Sequence, residues 1–287
     1  MWDDEIDGIL AGDLTAALGY RTPAGGVVVQ AVAPIGLRDR EAGEVGFTTS
    51  LGFSKKLERI ARDPRVALAF HAREHGTSTS DKYVLVQGTA RVIEAPSDAL
   101  KQRVRALSTE RLGPPAEGRF WNVWLREYYR ARVPVMIAVH RIVVWPGADP
   151  LPQPPSQTPP KHGTGPRIDS ARAQRRLSNT PHTLLGYAGA DGFPVVVPVT
   201  IGAAGEHSID LSGTLPTGAR RAGLTGHAYK PQLIGLETRQ HTGWLDGHVY
   251  APHTEVGYKA PANKTLLLLL NGALAKRNLK EIGRAHV

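Results

Sequence analysis

Two stretches of the chain carry the same pattern in the same order. Residues 16–36 read AALGYRTPAGGVVVQAVAPIG, and residues 182–202 read HTLLGYAGADGFPVVVPVTIG. Each holds Leu-Gly-Tyr, then a glycine-containing turn, then three valines, and each closes on Ile-Gly. The offset stays nearly constant: Leu18 to Leu185 is 167 positions, Val27 to Val195 is 168, and Gly36 to Gly202 is 166. Chance gives one such match, whereas a colinear run of several points to duplication. The chain must therefore fold into something that one unit can adopt and that packs against its own copy.

A break lies between the copies. Residues 145–166 read WPGADPLPQPPSQTPPKHGTGP, with eight prolines. Proline removes backbone donors and fixes φ, so this stretch supports neither a helix nor a central strand. It reads as an extended, partly stiff linker over 146–166. The expected units are 1–145 and 167–287, each of ordinary domain size. In the first unit Ile6, Ile9, Leu10, Leu14 and Leu18 fall at helical spacing. Residues 27–34, 44–49, 65–71 and 82–94 read as valine-rich strands bounded by Gly, Pro and Asp. Residues 53–62 and 99–112 read as helices, the first stopping before Asp63-Pro64. A last strand is expected over 135–145, with Met136, Ala138, His140, Ile142 and Val144 on one face. Many strands without βαβ alternation predict a mainly β fold with peripheral helices, built as antiparallel barrels.

Composition narrows the chemistry. The 287 residues include no cysteine, which excludes disulfides, thiolate zinc sites, iron–sulfur clusters and a cysteine nucleophile. The run Leu266 to Leu270 is far too short to span a bilayer, and the opening MWDDEIDGIL is acidic where a secretory signal is basic. A soluble, cytoplasmic protein is the expectation. Lys plus Arg exceed Asp plus Glu by 35 − 26 = 9, and the excess is uneven. Residues 1–150 carry 20 basic and 18 acidic side chains, and residues 151–287 carry 15 and 8. A basic half attracts anions, although it equally serves as a solubilising surface. No aromatic-studded motif accompanies the charge, so nucleic acid is not the expected partner.

The segment that carries chemistry is residues 46–70, GFTTSLGFSKKLERIARDPRVALAF. A strand ends in Thr48, Thr49 and Ser50, turns through Leu51-Gly52, and enters a helix that opens with Ser54, Lys55 and Lys56. Free amides at a helix start, hydroxyls and two ammonium groups would together cradle a phosphate. An N-cap serine followed by solvated lysines has the same spacing, and the residues alone leave both readings open.

Strand–FTTS–turn–SKK–helix–DPRVALAF–strand–YVLVQGTARV resembles the flavin-binding split barrel of the pyridoxamine 5′-phosphate oxidase-like superfamily, which includes deazaflavin-dependent reductases and haem-degrading members. The resemblance runs over about 27–145, and the second unit looks like a divergent copy. It implies two split barrels in tandem, an internal pseudodimer, with a flavin held between them. The chain would then act as a monomer or as a homodimer. Carried over, Thr48, Thr49 and Ser50 match the strand-end part of the site, and Ser54, Lys55 and Lys56 match its serine–basic–basic phosphate cluster. Tyr83 falls where the oxidases have a flavin-contacting glutamine. Residues 29–37, VQAVAPIGL, hold neither Arg nor Lys where the oxidases have a basic strand motif. The resemblance therefore implies FMN or a deazaflavin of the F420 type, with haem as a third option, rather than a named substrate. It implies an oxidoreductase acting on a small molecule; a non-enzymatic flavin or haem carrier is the alternative.

The second unit offers LPTGARRAGLTGH, residues 215–227. By the repeat offset Arg220 and Arg221 lie near the counterparts of Lys55 and Lys56, as a second anion site or as exposed helix-end charges. Trp244 is a candidate for stacking on a flavin, or a core tryptophan. His227, His241, His248 and His253 lack the i,i+4 spacing of a helical metal pair and read as ordinary polar histidines. No G-x-S-x-G, Walker, G-x-G-x-x-G or H-E-x-x-H motif is present.

Overall fold

In the computed structural model, residues 2–147, 151–205 and 208–285 are described. Residues 148–150 of the expected linker lie outside them. The first half opens with helix α1 (Asp4–Gly12), capped by the Asp3 carboxylate on the Ile6 amide. Seven strands follow: β1 (Ala16–Arg21), β2 (Val27–Val32), β3 (Arg38–Asp39), β4 (Glu44–Ser50), β5 (Arg65–Phe70), β6 (Tyr83–Val92) and β7 (Arg132–Trp145). Helix α2 (Ser54–Arg62) joins β4 to β5, and α3 (Asp98–Leu112), α4 (Arg119–Trp124) and α5 (Arg126–Arg130) join β6 to β7. The second half repeats the scheme with fewer insertions. Helix α6 (Ser170–Ser178) precedes β8 (His182–Ala188), β9 (Pro194–Gly205), β10 (Ser208–Gly213), β11 (Arg220–Ala228), β12 (Glu237–Asp246) and β13 (Val249–Lys259). Helix α7 (Lys264–Ala285) follows and packs on α4 and α5, where the Trp124 indole N–H donates to the Leu269 carbonyl at 3.2 Å.

The strand orders coincide. The first sheet runs β2-β1-β5-β6-β7-β4-β3, and the second runs β9-β8-β11-β12-β13-β10 and closes on itself. An antiparallel bridge between Ala33 and Thr48 draws β4 towards the β2 edge, so the first sheet rolls up in the same way. The fold is mainly β, two split barrels forming a pseudodimer.

The repeated residues are the ones that join the barrels. The inner face of the first sheet packs Leu18, Tyr20, Val28, Leu68, Phe70 and Val86 into its own core. Its outer face carries Ala17, Val27, Val29, Ala67, Ala69 and Leu85, which share one apolar cluster with Leu185, Tyr187, Val195, Val196 and Val197. Small residues on that face allow a close approach. A Cβ on Gly19 would lie 2.7 Å from Val196 Cγ2, and one on Gly186 would overlap Val29. The glycine of each Leu-Gly-Tyr thus seats against the valine triplet of the other copy, the reciprocal contact expected of a twofold interface. Polar bonds fasten its edges: the Tyr83 hydroxyl donates to the Val196 carbonyl at 2.6 Å, and Gln87 Nε2 donates to the Pro194 carbonyl at 2.7 Å.

Two local expectations are corrected. Leu14 and Leu18 do not continue the first helix, because the chain leaves α1 at Gly12 and Leu18 enters β1. Sheet pairing on both sides of β1 overrides the helical spacing. Nor do Met136, Ala138, His140, Ile142 and Val144 share a face. The ladder pairs Gln87 with Arg141 but Gly88 with Val139, leaving His140 as a bulge residue. An extra residue reverses the alternation, so Met136 packs under α3 while Ile142 and Val144 turn into the first barrel.

Replacing Gly186 with Ala forces the barrels apart without touching the cradle described below. Overpacking of this kind costs about 1–3 kcal/mol. Chemical denaturation should show that loss for Gly186→Ala, against a near-neutral result for Gly247→Asn at an open turn with φ 57°.

Candidate functional site

The strand end, the turn and α2 come together as the sequence suggests, with a different division of labour. Side chains alternate along β4, so Phe47 and Thr49 face inward while Thr48 and Ser50 face outward. Phe53, not a serine, holds the N-cap position of α2, and no side chain caps the helix. Ser54 is the first helical residue, exposed like Lys55. The two lysines therefore differ. Lys56 lies one helical turn before Ile60 on the buried face, and only 5% of it is exposed.

Lys56 has unusual surroundings for a buried ammonium. Its Nζ sits 4.8 Å from the centre of the Phe53 ring and 5.9 Å from that of Phe47. No carboxylate pairs with it among the described residues. Burial, and then the positive charge of Arg132, push its pKa down to about 7. Arg132 opens β7 opposite Ser50. Its Nε and one terminal nitrogen donate to Thr48 Oγ1 at 3.1 and 3.0 Å, and its other terminal nitrogen donates to the Tyr128 hydroxyl. The guanidinium also lies over the Tyr128 ring, 5.4 Å from its centre. Thr49 Oγ1 is buried and has no hydrogen-bond partner among the described residues. Two cations lie at one strand end with no acid paired to either among the described residues, Lys56 and the Thr49 hydroxyl towards its inner side and Arg132 with Thr48 towards its outer side. That composition suits a phosphate, whose oxygens accept from ammonium, guanidinium and hydroxyl groups alike.

Aromatic side chains flank the cradle. Tyr129 packs edge-on against Tyr128 at 5.3 Å, and Phe53 and Tyr129 are both half exposed. Tyr258, at the end of β13 in the second barrel, has its phenol pKa raised by burial and by the neighbouring Tyr128.

The remaining candidates lie elsewhere. Tyr83 pairs with Trp145, at the far end of β7 from Arg132, and its hydroxyl is committed to the barrel interface. Arg220 and Arg221 begin strand β11 rather than a helix. Strand order makes the irregular stretch between β10 and β11 the counterpart of the turn and helix between β4 and β5. Arg220 therefore corresponds to Arg65, not to a lysine of α2. Trp244 is buried at 4% exposure and pairs across the ladder with Arg221, whose guanidinium stacks on it at 5.7 Å.

A second buried cluster joins the barrels. His71 Nδ1 lies 3.0 Å from the Ala69 carbonyl and must donate to it, so in the neutral ring Nε2 is an acceptor. His227 Nε2, 2.7 Å away, donates to that acceptor, which leaves His227 Nδ1 buried without a partner. Burial lowers both pKa values, His71 to about 3. His182 Nε2 lies 3.2 Å from the Glu74 carboxylate. No three metal-ligating side chains converge among the described residues.

Sequence reasoning missed Arg132 and Tyr128. The expected strand began at Val135, and only the pairing of β4 with β7 shows that Arg132 reaches the end of the FTTS segment.

A buried, unpaired lysine opposes folding. Between pH 7 and 10.5 the unfolded chain holds a proton on Lys56 that the folded chain lacks, so this group makes stability rise with pH across that window. The penalty is fully present below pH 7. Lys56→Met should raise the melting temperature by on the order of 5 °C at pH 6.5, with the gain shrinking towards pH 10, as scanning calorimetry would record.

No family model matches the chain, and no curated protein matches it. Solved structures do. A conserved hypothetical protein from Mycobacterium tuberculosis is 23% identical, over 50% of this chain and 84% of its own, with a TM-score of 0.39. A haem storage protein from Vibrio cholerae is 15% identical, over 50% and 93%, with a TM-score of 0.36. An FAD-binding protein from Mesorhizobium loti is 16% identical, over 50% and 92%, with a TM-score of 0.33.

Proposed function

We propose that the chain binds a flavin mononucleotide at the β4–α2 cradle and acts as an oxidoreductase on a small molecule. The observation that carries this reading is a buried Lys56 that feels the charge of Arg132 where no carboxylate pairs with either among the described residues. A terminal phosphate monoester brings up to two negative charges to that point, a better match than the singly charged phosphodiester of an F420-type deazaflavin. Arg132 is held in place before any ligand arrives, by Thr48 and Tyr128. Lys56 approaches from the helix, and Thr49 offers a free hydroxyl. Phe53, Tyr129 and Tyr258 supply apolar surface on which a ring system can lie. The flavin, when bound, supplies the hydride chemistry; the chain's own residues fix the phosphate and shield the ring from water.

Charge-assisted bonds contribute about 1.5–3 kcal/mol each, so Lys56→Ala with Arg132→Ala should weaken FMN binding about a hundredfold or more. Riboflavin, which lacks the phosphate, should respond little. Wild-type affinity for FMN should fall as the pH rises above 7, because free Lys56 loses its proton there. Flavin fluorescence titrations measure all three. Equal losses for FMN and riboflavin would contradict the phosphate assignment. Oxidation of a reduced nicotinamide by the loaded protein would favour the enzyme; a loaded protein that never turns over would make the chain a carrier.

A further inference from the structure

The proline-rich segment is less of a spacer than its composition suggests. Residues 151–169 form no helix or strand, yet part of this stretch is bonded to the loop between β10 and β11. Gln153 Oε1 accepts from the Thr217 amide at 2.9 Å. The Gln157 amide donates to the Ala219 carbonyl at 2.8 Å, and its side chain accepts from the Arg221 amide at 3.1 Å. The same side chain donates to the Gly25 carbonyl of the first barrel at 3.2 Å. Ser156 lies against Gly218, where φ is 77° and a Cβ would collide with the serine.

Beneath this strap is a positive charge with no acid paired to it among the described residues. Arg220 is fully buried and donates only to backbone carbonyls: Gly218 at 3.2 Å, Pro154 at 2.9 Å, and Thr217. Its remaining terminal nitrogen, NH1, has no hydrogen-bond partner among the described residues. The guanidinium lies 5.8 Å from the Tyr187 ring centre. Arg221 beside it stacks on Trp244 and donates to the Thr158 carbonyl at 3.1 Å. Each of the two arginines thus holds one carbonyl of the strap. Neutral carbonyls solvate a buried guanidinium less completely than an anion does, and burying an unbalanced charge is costly.

We propose that Arg220 and Arg221 form a second oxyanion site, of the phosphate class, which residues 153–158 keep closed by placing the Pro154 and Thr158 carbonyls where phosphate oxygens would sit. Strand order puts this loop at the counterpart of the Lys56 cradle, so that part of the argument leans on the flavin reading; the arginines' own bonds do not. The consequence is one open anion site per chain, with the other available only when the strap lifts.

The test silences the first site with Lys56→Ala and Arg132→Ala, so its result does not depend on what the cradle binds. In that background, residues 153–158 are replaced by a Gly-Ser segment of equal length, and inorganic phosphate binding is measured by isothermal titration calorimetry, with circular dichroism to verify folding. The strap-replaced protein should bind phosphate at least about tenfold more tightly than the strap-intact one, or about 1.4 kcal/mol. Arg221→Ala should abolish the gain. Equal binding by both folded proteins, or a gain that survives Arg221→Ala, would overturn the proposal. If the replacement does not fold, Gln157→Ala in the same background serves instead. Its amides over 153–158 should exchange with solvent faster as phosphate is raised, and unchanged exchange would overturn the proposal equally.

Discussion

The contact between a glycine in one copy and a valine triplet in the other governs the arrangement of the whole molecule. Gly19 meets Val196, and Gly186 meets Val29 and Val27. Each contact works only because the partner lacks a Cβ and the valines stand on a strand with both faces buried. The first sheet consequently has no solvated outer face along β1, β2 and β5, and its alanines and valines join the core of the second barrel. Tyr83, Gln87 and the His71–His227 pair can then be buried across the junction with few unmet hydrogen bonds. The two copies form one body rather than two beads on a proline string.

Duplication also explains why the copies can differ. Once both halves belong to one chain, the proposed site needs only one of them. The first keeps helix α2 and places a lysine on its inner face; the second replaces the helix with a short irregular loop. Lys56 is a poor choice for stability, being buried without an anion and lying close to a second cation. Under the proposed function its position prepares for a ligand that brings the missing charge, a conflict between stability and activity that functional sites commonly show.

Much of the fold was legible in the sequence because alternating valines and Gly/Pro boundaries act locally. The strands over 44–50, 65–70 and 83–92 and the helix over 54–62 fall within a few residues of expectation. What was not legible depended on partners. Leu18 sits in a strand because β2 and β5 flank it, and His140 bulges because β6 and β7 differ by one residue between two fixed registers. In the candidate site, the FTTS–SKK segment named the strand end on which the proposed cradle lies. Which lysine turns inward, and that Arg132 stands opposite, are consequences of packing. The offset that placed Arg220 and Arg221 on Lys55 and Lys56 failed for a simpler reason. Loops lengthen and shorten after duplication, so counting residues across one loses the register that strand order keeps.

The most direct test of the account is the titration of Lys56 itself. Its side-chain nitrogen or adjacent carbon can be followed by NMR against pH, assigned by comparison with Lys56→Met. The free protein should show Lys56 titrating near pH 7, far below an exposed lysine, because burial and Arg132 both disfavour its charge. Saturation with FMN should move that transition upward by about two units or more, as a phosphate supplies the missing counter-charge, while riboflavin should leave it in place. A Lys56 that titrates near 10.5 in the free protein, or one that ignores FMN, would contradict the claim that this strand end is built to receive an anion.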